Sequence, residues 1–141
     1  MNNLSPVNQL INKYRWLPML LWMVTIFVIS AQPAQDLPDL GVADLLIKKL
    51  AHFIAYAILA LLALWGMGEG GGKRLPRRRL EIVGREGKLF ILALLITALY
   101  AMSDEYHQTF VLGRNGMFWD VLIDTTGGLT ALWIKWQRAK R

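Results

Sequence analysis

The run from Leu95 to Leu122, LITALYAMSDEYHQTFVLGRNGMFWDVL, constrains the fold more than any other part of the chain. An apolar helical stretch ends in Ser103, Asp104, Glu105, His107 and Gln108, crosses a short loop carrying Arg114, and re-enters apolar sequence through Asp120 and Asp124. Ionisable side chains at membrane depth are costly, so they face a bundle interior, pair with one another and mark a functional site. The other segments then read as walls around this one.

Composition supports that reading. The 141 residues fit a single domain by length. Hydrophobic residues make up 55% of them and fall in blocks with the charges mostly between, which favours a membrane protein. The absence of cysteine excludes disulfide frameworks, thiolate metal sites and cysteine nucleophiles. Trp16, Trp119, Trp133 and Trp136 all lie near the ends of apolar runs, where membrane interfaces place tryptophan.

The pattern predicts an all-α fold, an integral membrane four-helix bundle with helices at about 16–32, 48–67, 88–109 and 118–136. The first apolar run, Trp16 to Ala31, carries no charge and spans about 24 Å as a helix, slightly short of a ~30 Å hydrocarbon core. A cleaved signal peptide is the rival reading, but Pro33 sits in the cleavage region and no A-x-A precedes it. Gln32 to Ile47, with Pro33, Pro38, Gly41 and three aspartates, reads as a loop. Gly68 to Lys88 holds seven basic residues and a glycine run, so 68–87 reads as a basic, headgroup-contacting loop. Aromatic interleaving is absent there, which argues against nucleic acid as a partner.

The net charge of +6 reports orientation. With a cytoplasmic amino terminus, thirteen of the sixteen Lys and Arg fall inside: two before the first helix, seven in the basic loop and four after the last helix. That asymmetry predicts both termini in the cytoplasm and a multi-pass protein of the bacterial inner (plasma) membrane.

In this topology the polar helix ends share the external side. Lys49, His52 and Tyr56 come from the second helix, with Lys48 in register i, i+4, i+8 with the last two. Ser103, Asp104, Glu105, His107 and Gln108 end the third, Arg114 follows it, Asp120 and Asp124 open the fourth, and Ser30 ends the first. On the third helix Asp104, His107 and Gln108 occupy an arc of about 100°, whereas Glu105 points about 100° round from Asp104, toward a different neighbour.

Three chemistries compete for this cluster. Its carboxylates and histidines suit a divalent cation, although no strong metal-ligand spacing is present. His107 or His52 can serve as general acid or base beside Asp104 and Asp120, with Arg114 and Lys49 on a phosphate. In the structural reading Lys and Arg neutralise the acids and the cluster fixes helix register. Tyr56, Glu105, Gln108, Asp124, Ser30 and Ser103 complete the candidate ligand-binding set. No specific cofactor is indicated.

The runs K-x-x-H-F-x-x-Y from Lys49 to Tyr56, S-D-E-x-H-Q-x-F from Ser103 to Phe110, G-R at Gly113–Arg114 and D-V-x-x-D-x-x-G from Asp120 to Gly127 resemble the VanZ-like family of small bacterial membrane proteins. Ser30 with Gln32 and Pro33 is similar to the family's S-x-Q-P helix end, and the resemblance spans all four predicted helices. Lys48 stands where many members have Asp, and Asp124 where many have Asn. The resemblance implies a single VanZ-like domain over 1–141 and a link to glycopeptide (teicoplanin) resistance.

The expectation is therefore an extracytoplasmic-side polar pocket engaging an anionic lipid or cell-envelope component. Membrane lipids, a lipid-linked cell-wall precursor or a lipoglycopeptide are the partners this implies. A lipid-phosphate-modifying or hydrolytic enzyme is the first alternative, and a small ion or solute transporter, working as a homo-oligomer, the second.

Overall fold

The computed structural model describes residues 5–33, 42–67 and 79–139, and among these it is entirely helical. A short α1 (Pro6–Lys13) precedes four longer helices: α2 (Leu17–Ser30), α3 (Val42–Met67), α4 (Arg79–Gln108) and α5 (Phe118–Ala139). α3, α4 and α5 pack against one another, and α2 lies on α3 and α4 without reaching α5.

Local sequence explains most of the helix ends. Pro18 sits in the first turn of α2, where a missing N–H is tolerated. At its other end Ala31 N–H closes the last turn on Phe27 C=O, and Pro33 stands two residues further on. α3 begins at Val42, about a turn and a half before the predicted start at 48. Asp44 lies in its first turn, where the helix dipole favours an acid, and pairs with Lys48 one turn on. The predicted loop at 32–47 is thus helical from 42, and its residues 34–41 lie outside the described set. Likewise α4 is helical from Arg79, within the stretch read as a basic loop, whose residues 68–78 are outside the described set.

Side-chain contacts fix the relative direction of the helices. Arg15 donates to Trp65 C=O at 3.3 Å, placing the start of α2 beside the end of α3. Midway, Trp22 Nε1 donates to Ala55 C=O at 2.9 Å and Tyr100 Oη to Met23 C=O at 2.5 Å. At the far end Ser30 meets Asp104, and Lys49 pairs with Asp120. The end of α2, the start of α3, the end of α4 and the start of α5 therefore gather at one end of the bundle.

Two glycines let α5 approach its neighbours. A Cβ on Gly127 would stand 2.2 Å from Phe53 C=O of α3, and one on Gly128 would stand 2.9 Å from the Thr97 methyl of α4. Only hydrogen fits at those distances, so the small-residue face of α5 is what allows the three-helix core to close.

The interior is mixed and much of the exterior is apolar, with Leu59, Ala60, Ala63 and Leu132 in a buried hydrophobic core. Asp104, Glu105, Gln108, Asp124, Ser30 and Thr97 are buried, while Leu20, Val24, Leu92, Leu99 and Trp133 are exposed. An apolar exterior of this extent fits a lipid-facing surface. Two helical segments are long and apolar enough to cross a membrane: Ala43–Met67, with mean hydropathy 2.0, and Glu86–Gln108, with mean hydropathy 1.5. α2 has 14 residues, about 21 Å of helix, and α5 carries Asp120, Asp124, Lys135 and Arg138. Neither meets the criterion by length and composition, so two of the four predicted spans stand on that ground and two do not.

Candidate functional site

The gathered helix ends enclose a pocket of about 290 Å³. Lys48, Lys49 and His52 line it from α3, and Glu105 and Gln108 from α4. Arg114 and Asn115 belong to the connecting loop, and Asp120 and Asp124 to α5.

The loop after α4 shapes one wall. Thr109, Phe110 and Val111 N–H groups each bond a carbonyl three residues back, and Gly113 takes φ 74°, a left-handed conformation natural to glycine. The chain then folds back so that Met117 N–H donates to Glu105 Oε2 at 3.0 Å. Gly116 permits this, because a Cβ there would lie 2.2 Å from Glu105 C=O.

Behind the pocket lining Asp104 Oδ2 accepts from Ser30 Oγ at 2.8 Å and from Gln108 Nε2 at 3.1 Å. The same Gln108 amide donates to Glu105 Oε1 at 3.1 Å, and its carbonyl accepts from Arg114 Nη1 at 3.4 Å. Arg114 Nε donates to Gln32 C=O at 2.9 Å. His52 Nδ1 lies 3.4 Å from Asp124 Oδ2. Around the rim Lys49 pairs with Asp120 and Lys48 with Asp44.

The charge pairing is uneven. Among the described residues both ion-paired lysines go to acids that are partly exposed. Asp104, Glu105 and Asp124 are 2%, 5% and 0% exposed, and none of them pairs with a Lys or Arg. Asp104 Oδ1, Asp124 Oδ1 and the Tyr56 hydroxyl are buried and make no close hydrogen bond. The structural reading, in which Lys and Arg neutralise the acids, thus holds at the rim and fails deeper in.

Lys49, His52, Glu105, Gln108, Arg114, Asp120 and Asp124 meet at the pocket, whereas Ser30, Tyr56, Ser103, Asp104 and His107 do not line it. Helical angle directs Glu105 away from Asp104, yet Gln108, one turn above both, binds the two together, and the returning loop covers Glu105. His107 does not line the pocket; its ring lies against Phe27 of α2, with centroids 4.3 Å apart. Ser103 is exposed and donates to Tyr100 C=O of its own helix at 2.8 Å. Tyr56 is fully buried behind the pocket, its ring 6.3 Å from that of His52. The Met117 N–H and Asn115 join the site without having been singled out, and the R-N-G turn is the only sequence signal that marks them.

The family model described as VanZ/LLP1 matches residues 8–137, nearly the whole chain. No curated protein and no solved structure matches it.

Proposed function

The chain belongs to the VanZ/LLP1 family, and from that membership and the pocket we propose that it is a multi-pass protein of the bacterial inner membrane whose outer-side pocket binds an anionic lipid or another anionic cell-envelope component. Family membership and two membrane-capable helices fit a membrane protein, and the apolar exterior agrees with them. The uneven distribution of Lys and Arg supports both termini lying in the cytoplasm, with the pocket on the opposite side.

Arg114 carries the anion reading. Its guanidinium is held by two neutral acceptors, the Gln32 carbonyl and the Gln108 side chain, and by no carboxylate among the described residues. Such a group is oriented but not neutralised, which suits a planar donor for phosphate or carboxylate. Lys48 and Lys49, though paired, add positive potential at the same rim. A lipid-linked wall precursor presents phosphate to this rim and a lipoglycopeptide presents carboxylate, which is how a link to teicoplanin resistance would act. For a hydrolytic site His52 and Asp120 line the pocket, whereas His107 and Ser103 lie away from it.

Native mass spectrometry of the detergent-purified chain with phosphatidylglycerol, a short polyprenyl phosphate and phosphatidylcholine tests the reading. The anionic lipids are expected to bind more tightly than phosphatidylcholine, and Arg114→Ala to weaken that binding at least about tenfold, as loss of a charge-assisted hydrogen bond does. Equal binding of anionic and zwitterionic lipid in the wild type would overturn it.

A further inference from the structure

Three carboxylates buried against one imidazole are the least explained feature of the molecule. Burial of an ionised carboxylate is strongly unfavourable unless it is paired, hydrogen-bonded or bound to metal, and otherwise it takes up a proton. The lysines at this end are committed to Asp44 and Asp120, and Arg114 is turned to neutral acceptors. His52 is the only basic side chain that meets any of Asp104, Glu105 and Asp124 among the described residues.

His52, Asp104 and Glu105 each present a donor atom, and these atoms lie within 4.8 Å of one another. Donors bound about 2.1 Å from an ion are at most ~4.2 Å apart across it, so small rotamer adjustments suffice to close the set. Two further observations point the same way. Asp104 Oδ1 is buried and makes no close hydrogen bond although Oδ2 has two donors, the carboxylate otherwise interacting with the Tyr56 hydroxyl, and Asp124, outside the donor set, has a buried Oδ1 without a hydrogen bond. Asp124 Oδ2 also lies beside His52 Nδ1, the arrangement in which a carboxylate orients an imidazole whose other nitrogen ligates a metal.

We infer that a divalent transition-metal site lies at the back of the pocket, with the lining residues His52 and Glu105 and the Asp104 behind them as ligands, and Asp124 holding the His52 ring in place. Imidazole with carboxylates suits Zn²⁺, Mn²⁺ or Fe²⁺ rather than Mg²⁺ or Ca²⁺. Positions left open on the ion would face the pocket, because His52 and Glu105 both line it. The site stands apart from the anion reading, which concerns Arg114 and is tested by lipid binding.

The test is metal loading of the full chain, purified in detergent, stripped with chelator and titrated with Co²⁺ as a spectroscopic probe and with Zn²⁺ in competition. The wild type is expected to retain about one equivalent per chain after dialysis, with visible Co²⁺ bands that Zn²⁺ removes. Asp104→Asn and His52→Gln should each lose the ion, Asp124→Asn should weaken it by about tenfold or more, and Thr126→Ala, on the outer face of α5, should match the wild type. Wild-type protein that retains less than about a tenth of an equivalent of either metal would overturn the inference, whatever the fate of the variants. Retention unchanged in both Asp104→Asn and His52→Gln would overturn it equally.

Discussion

Ser30 Oγ donates a 2.8 Å hydrogen bond to Asp104 Oδ2, joining the last residue of α2 to the end of α4. Both side chains are buried, at 1% and 2% exposure, so the bond replaces water that neither group can reach. Ser30→Ala removes one of the two donors to that oxygen, and the expected cost is about 1–3 kcal/mol. Thermal unfolding of the purified protein followed by tryptophan fluorescence reads it, and an unchanged midpoint would show that the bond contributes nothing.

A methyl group at Gly127 has no room. It would stand 2.2 Å from the Phe53 carbonyl, a backbone atom that cannot rotate away, so Gly127→Ala must push α3 and α5 apart. Overpacking of this kind costs about 1–3 kcal/mol or more. Gly66→Ala is the control: its nearest contact is the Trp16 ring at 3.3 Å, which a side-chain shift relieves. Parallel melting curves should rank wild type near Gly66→Ala and both well above Gly127→Ala.

Lys49 and Asp120 tie α3 to α5 at the pocket rim with a third and a quarter of their side chains exposed, respectively. Partial exposure keeps the expected coupling to about 1 kcal/mol, above that of a fully solvated pair and below that of a buried one. A double-mutant cycle with Lys49→Met and Asp120→Asn measures it, and strictly additive effects would remove the pair from any account of stability.

The proposed orientation makes a prediction that needs no purified protein. A reporter active only in the cytoplasm, fused after Arg141, should work, and one active only outside should not. Reversal of the two signals would place the pocket on the cytoplasmic side.

The sequence shows the site's ingredients more clearly than their arrangement. Polar residues interrupting apolar runs disclose Asp104, Gln108, Asp120 and Asp124, because in such runs only an inward role tolerates them. Ser30 and Ser103 look alike by the same test, yet one bonds a carboxylate of a neighbouring helix and the other a carbonyl of its own. What separates them is which helix packs where, and periodicity carries no such information. Glu105 and His107 illustrate the same limit: the first is gathered in by a loop returning from position 117, the second is drawn to Phe27 of α2, and both partners lie beyond the reach of local spacing. The early start of α3 rests on the Asp44–Lys48 pair, a signal legible only once the prolines and glycine before it are confined to 33–41.

The acids buried in the bundle bear on how it assembles. α5 supplies Asp120 in its first turn and Asp124 one turn on, and an aspartate disfavours membrane insertion by about 3 kcal/mol at a helix centre and by less toward the ends. Standing alone this helix is a poor candidate for the bilayer; beside α3 and α4 its acids meet Lys49 and His52 and its glycines find their groove. α5 follows its partners in the chain, so the helix that most needs the others emerges after them, and without it Asp120 and Asp124 would be missing from the site.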